Sequence, residues 1–216
     1  MKHPANNDSL TLRDFAIYAS LFLIIVWGFE LIPSQWLERL YAQLTSNLLS
    51  STGLSSSWRM EGGQAHLTLA AGIRDVSTTI IRECTGIHVF AIFSGLILPL
   101  KGGLWLRKAL SIVVSGSLLF IMNLSRLMLT VVLTAFDIPP FSWIFTNPTV
   151  ETYHYPLSFA YGLLGVAALV VITSKWTLPE LGNTLLNIPR VLWISIQTSS
   201  RHFREASVSS PQEKCR

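Results

Sequence analysis

Glu83-Cys84-Thr85-Gly86-Ile87-His88-Val89-Phe90-Ala91-Ile92-Phe93-Ser94-Gly95-Leu96-Ile97-Leu98-Pro99-Leu100 is the stretch from which the fold is read. A polar approach turns here into an apolar run, Thr85 to Leu100, of the kind that buries in lipid. Three further apolar runs occur: Phe15 to Ile32, Ala109 to Phe136 and Tyr155 to Thr173. A helix needs about 20 apolar residues to cross a hydrocarbon core, with a range of roughly 17 to 25. The composition agrees. Half of the 216 residues are hydrophobic and 13% are charged, against about 25% charged in an ordinary soluble domain. The expected class is an all-α membrane protein. It would be a polytopic helical bundle of about four spans with interfacial helices and a small extracytoplasmic β-like segment.

Charge placement orients the bundle. Lys101, Arg107 and Lys108 lie between the second and third runs with no acid among them, so that loop is expected in the cytoplasm. The tail carries Lys175, Arg190, Arg201, Arg204, Lys214 and Arg216 and is expected there too. The loop from Asp137 to His154 has no Lys or Arg and is expected outside. The resulting division is a cytoplasmic N-terminus (1–14), a transmembrane core (15–173) with an extracytoplasmic insert (34–83), a cytoplasmic interfacial helix (174–200) and a disordered basic tail (201–216). The first run lacks a small-residue cleavage site and reads as a retained anchor. The net charge of +4 fits an orientation signal and gives no reason to expect nucleic acid.

Within the insert, Trp36, Leu37, Leu40, Tyr41, Leu44 and Leu48 recur at helical spacing. With Ser34 as N-cap and Gly53 as terminator they predict a helix from Gln35 to Ser51 on the outer leaflet. Ser55-Ser56-Ser57 and Gly62-Gly63 read as punctuation. The alternation at His66 to Leu69 and the β-branched run Val76 to Ile81 predict a short hairpin leading into Cys84.

Depth then gathers three reactive side chains. Arg126 lies 18 residues beyond Lys108, about 27 Å along a helix, near the outer edge of a core roughly 30 Å thick. Cys84 begins the second run and His154 precedes the fourth, both at the outside end. Each has a plain reading: a small buried hydrophobe for Cys84, an interfacial ring for His154, a snorkelling cation for Arg126. Against these, a helix start stabilises a thiolate, so an unusually acidic Cys84 is expected. An arginine inside a span is also a functional candidate by default. Cys84 and His88 are four apart and would share a helix face, and His154 could join them. With no other cysteine nearby, however, neither a metal site nor haem is expected, and His88 reads as a polar wall of the cavity. No cofactor is implied. Cys215, next to the C-terminal residue, reads as a free terminal thiol, and two cysteines make no disulfide framework.

The sequence resembles the exosortase/archaeosortase family of membrane cysteine transpeptidases. The resemblance rests on Glu83-Cys84-Thr85-Gly86-Ile87, on Asn123-Leu124-Ser125-Arg126 and on His154 before the last span. It covers roughly Phe15 to Thr173, in a short, core-type version of the family. It implies Cys84 as nucleophile, Arg126 as stabiliser of the thiolate or oxyanion, and His154 as proton donor to the leaving amine and activator of the acceptor. Asn123, Gly86 and His88 would support them. The implied substrate is a secreted protein ending in a short motif, a membrane helix and a basic tail, cleaved at the outer face of a bacterial inner membrane. The product would pass to an acceptor such as a lipid or polysaccharide. Two alternatives use the same sequence: an intramembrane cysteine protease with water as acceptor, and a non-enzymatic scaffold or transporter subunit. A transporter would more often show repeats and polar residues at mid-membrane.

Overall fold

The computed structural model describes residues 12–70, 72–100, 104–145 and 147–178, with Gly182 and Trp193. The expected interfacial helix (174–200), most of the N-terminal segment (1–14), the basic tail (201–216) and Cys215 fall largely or wholly outside these residues. In chain order the elements are helix α1 (Leu12–Glu30), α2 (Gln35–Ser51), strands β1 (Ser56–Glu61), β2 (Gln64–Leu69) and β3 (Val76–Ile80), a 3-10 turn (Arg82–Thr85), α3 (Ile87–Ile97), α4 (Trp105–Ala135), the short α5 (Phe141–Ile144), α6 (Val150–Ile172) and a π turn (Thr173–Thr177).

Two helices, α4 and α6, are long and apolar enough to cross a bilayer. The pair α1–α2, bent by 66°, makes a third if it acts as one span. The structure therefore supports two to three candidate spans rather than about four. The correction falls on the run from Thr85 to Leu100. Its helix has 11 residues, about 16 Å of rise, half of a hydrocarbon core. Hydropathy over a window does not see where a helix starts, and α3 starts only after the bend at Gly86. At its far end, the buried Lys108 ammonium donates to the carbonyls of Leu98 and Leu100. A cation there satisfies C-terminal carbonyls that have no partner within the helix.

Helix α2 has the bounds its periodicity predicts, Gln35 to Ser51. Ser34 precedes it but caps no backbone N–H. Its hydroxyl donates to the Glu38 carboxylate at 2.6 Å. Gly53, at φ +87°, follows the last turn. The face buried in the protein overlaps only in part the apolar face expected to lie on the outer leaflet. Tyr41, Ala42, Thr45 and Leu49 point inward, whereas Trp36 and Leu48 are exposed. The reason is the insert itself. A three-stranded antiparallel sheet, in the order β1-β2-β3, packs beside α2 and claims the side that holds Tyr41 and Ala42.

In that sheet β2 buries Ala65, Leu67 and Leu69 at the period of two that a half-buried strand requires. Gly62 and Gly63 turn β1 into β2 with positive φ at both positions, +57° and +83°, as a two-residue hairpin demands. The expected hairpin is β2–β3, and β1 is an addition to it. Its sequence, Ser-Ser-Trp-Arg-Met-Glu, is largely exposed. An edge strand of that kind carries little apolar alternation to read. Tyr41, Ala42 and Leu49 of α2, the inward residues of β2 and β3, Cys84, and Leu127, Val131 and Ala135 of α4 form one core. Cys84 is thus fixed where the sheet and α2 meet α4. Arg74, after β2, ties the insert to the end of α4 through the Thr134 carbonyl (3.0 Å) and Asp137 (3.2 Å).

Candidate active site

Cys84 is the third residue of the turn Arg82–Thr85, between the last strand and α3. Its N–H donates to the Ile81 carbonyl at 2.9 Å, and the Thr85 hydroxyl closes the turn onto the Arg82 carbonyl at 2.6 Å. Gly86 then reverses the chain in the left-handed region, at φ +73°. A side chain would be strained in that conformation. It would also have no room, since a Cβ built at Gly86 falls 1.9 Å from the Asn123 amide nitrogen. The missing side chain lets α4 approach, and Asn123 donates to the Thr85 carbonyl at 3.2 Å. Gly86→Ala should therefore lower stability by about 2–3 kcal/mol. Thermal melts of Gly86→Ala, Asn123→Ala and the double variant check this. The double variant should recover part of the loss, because it removes the colliding nitrogen.

One turn beyond Asn123, the buried Arg126 guanidinium reaches two elements at once. One terminal nitrogen donates to the Cys84 carbonyl at 2.9 Å and the other to the Ser158 hydroxyl of α6 at 3.1 Å. Its Nε is buried and has no partner among the described residues. The Ser158 hydroxyl in turn lies 3.3 Å from Nε2 of His154. A hydrogen-bonded line thus runs from the Cys84 backbone through Arg126 and Ser158 to His154. It joins the Cys84 turn, α4 and α6. Neither Ser158 nor Tyr161, whose hydroxyl lies 3.4 Å from that of Ser125, stands out as a motif. Their signal is helical spacing, since positions 154, 158, 161 and 165 share one face of α6.

Two cavities flank Gly86. One, of about 150 Å³ between α3, α4 and α6, has Glu83, Asn123, Arg126, Ser158 and Tyr161 as its polar wall. The other, of about 210 Å³, is almost wholly apolar, with Phe29, Trp36, Tyr41, Phe90 and Phe120 around it. Cys84 is 7% exposed and lines neither of these cavities, so the thiol is covered.

That covering reverses one expectation. Burial pushes the Cys84 thiol above its ordinary value. The Ile81 backbone and the Arg126 charge pull it back, while Glu83 and Glu38 add to the rise. Desolvation outweighs the helix start because Cys84 precedes Gly86, and α3 begins only at Ile87. Alkylation of Cys84 by iodoacetamide in the substrate-free protein, followed by peptide mass spectrometry, should have its midpoint above about 8.5, the free-thiol value. Because a nearby cation favours thiolate, Arg126→Ala should move the midpoint further up. Glu83→Gln should move it down.

His88 lines neither of these two cavities. Its ring lies 2.6 Å from the Glu30 carboxylate of α1, and Glu30 also pairs with Arg82 at 3.2 Å. Arg82 further donates to the carbonyls of Phe29 and Ile32 at the end of α1. The four-residue spacing from Cys84 suggests a shared face, but the left-handed bend at Gly86 breaks the helix between them. His88 therefore braces α1 against α3.

A protein-family model described as transmembrane exosortase (EpsH) matches residues 7–147, a stretch that includes Cys84, Asn123 and Arg126 and ends before His154. No curated protein and no solved structure matches the chain.

Proposed function

Since the chain belongs to the transmembrane exosortase family, we propose that it is a membrane-embedded cysteine transpeptidase. It cleaves the C-terminal sorting signal of secreted proteins at the extracytoplasmic face and passes them to an acceptor. The observation that carries the reading is the line of hydrogen bonds from the Cys84 carbonyl through Arg126 and Ser158 to His154. The family fits an integral membrane protein that acts on secreted proteins carrying such signals.

In this reading the neutral His154 ring takes the thiol proton, and the Cys84 sulfur attacks the scissile carbonyl. A buried neutral thiol makes that base necessary. Arg126 faces the oxyanion as it forms. Its buried Nε–H has no partner among the described residues, and a preorganised donor of this kind is most useful where charge develops. The tetrahedral intermediate collapses as the imidazolium hands its proton to the leaving amine, which leaves a thioester on Cys84. The acceptor nucleophile then gives its proton to His154, attacks the thioester and expels the thiolate, which takes that proton back from the imidazolium to restore the resting thiol. Asn123 and Gly86 hold the turn against α4 and so set the position of the sulfur.

Mass spectrometry of C-termini from secreted proteins tests the reading whatever the sorting motif is. Cells with the wild-type chain should show a set of proteins that lack their terminal apolar helix and carry an added mass at the new end. Cells with Cys84→Ala should show the same proteins uncut. New ends bearing a free carboxylate would indicate water as the acceptor.

A further inference from the structure

We propose that Ser158 is a positioning residue that holds His154 as the Nδ1–H tautomer, with the basic lone pair of Nε2 turned toward the Arg126 side of the site. The inference deepens the transpeptidase reading and rests on it for its catalytic consequence, though not for its geometry.

Donor and acceptor counts set the direction of each bond. A guanidinium has only donors, so the 3.1 Å bond between Arg126 and Ser158 makes the serine oxygen an acceptor. A hydroxyl carries one proton of its own, and the acceptor within reach for it among the described residues is Nε2 of His154 at 3.3 Å. If Nε2 carried a proton instead, the serine oxygen would face two donors, and its own hydrogen would have no partner in a half-buried site. The positive charge of Arg126 adds to this preference, since a lone pair directed at that side is favoured over an N–H. The other charged group facing the ring is the Glu151 carboxylate, on the same helix one turn earlier.

The placement has a sequence basis. His154 and Ser158 are separated by four residues on α6, so their side chains stack on one face. The helix start is fixed by reciprocal bonds between Thr149 and Thr152. A ring hydrogen bond decides which nitrogen is basic, and a residue that supplies it acts through the histidine without touching substrate. Nε2 has a single lone pair, so when substrate enters the Ser158 hydroxyl turns off it, and the lone pair kept free of a proton until then takes the thiol proton.

Nitrogen-15 NMR of the full-length protein in detergent micelles, labelled at histidine and recorded where the ring is neutral, reads the tautomer. The His154 signals are assigned by their loss in His154→Gln. The wild type should show a protonated Nδ1 and a bare Nε2. Ser158→Ala should show a mixture or the opposite tautomer, and Ser158→Thr, which keeps the hydroxyl, should restore the original. A protonated Nε2 in the wild type, or an unchanged tautomer in Ser158→Ala, overturns the inference. In pulse-chase labelling of the secreted proteins that keep their tails in a Cys84→Ala strain, Ser158→Ala should slow tail release roughly tenfold, and Ser158→Thr should recover it. Unchanged release with an altered tautomer would end the positioning role. If no secreted protein gains a tail in Cys84→Ala cells, the transpeptidase reading fails, while the NMR result still decides the geometry.

Discussion

Replacing Cys84 with alanine should abolish tail release from secreted proteins, a loss on the order of 10⁴-fold or more. In the proposed mechanism the sulfur forms the covalent intermediate, and no second thiol lies among the described residues to substitute for it. The change should leave the fold nearly intact. Cys84 sits in a core formed by α2, the sheet and α4, but alanine removes a single sulfur atom. Its backbone bonds to Ile81 and to Arg126 use the N–H and the carbonyl, which alanine keeps. A melting temperature within a few degrees of wild type, with processing lost, is therefore expected. A scaffold or transporter subunit would give the reverse pattern: Cys84→Ala would be silent, and function would fail when packing residues such as Leu127 or Val131 are truncated.

The second large effect is expected at Arg126, and the revealing substitution is lysine rather than alanine. Arg126→Lys keeps the charge and the long apolar stem but replaces a planar fork with a point charge. In the wild type the fork spans two elements, the Cys84 carbonyl at 2.9 Å and the Ser158 hydroxyl at 3.1 Å, and keeps Nε–H in reserve. One ammonium cannot hold both partners in that geometry and also direct a donor at a forming oxyanion. Tail release should fall by roughly 10²–10³-fold, the usual effect of losing an oxyanion donor. Arg126→Ala should be worse in a different way, because it also strands buried polar groups at a cost of about 1–3 kcal/mol. A lysine variant that processes at wild-type rate would remove Arg126 from the chemistry and leave it as a strut between α4 and α6.

Much of this arrangement is legible in the residues. The bounds of α2 follow from its periodic leucines and from Gly53, which ends the run. Two of the three strands follow from alternation and β-branching. That Arg126 comes level with the Cys84 turn follows from counting along the α4 sequence. What stays hidden turns on a few local facts. The run after Thr85 looks like a span, but Gly86 in the left-handed region delays the helix to Ile87 and Pro99 stops it after Ile97, which leaves α3 at 11 residues. The same bend places His88 against Glu30 rather than beside Cys84. The apolar stripe of α2 does not say which of its edges faces protein, because the sheet that decides this includes β1, a strand of serines and charges. Ser158 escapes a motif reading because a serine in an apolar helix carries no signal until its neighbours are known. The thiol's acidity is misread because helix starts are visible in sequence and burial is not.

A covalent bond to one sulfur is the central claim. Intact and peptide mass spectrometry of the enzyme, isolated from cells by acid quench and compared with and without neutral hydroxylamine, reads it directly. The expected result is a Cys84 peptide that carries the new C-terminus of a secreted protein and is released by hydroxylamine, with no such adduct in Cys84→Ala. Normal processing in cells whose Cys84 peptide is never modified would contradict it.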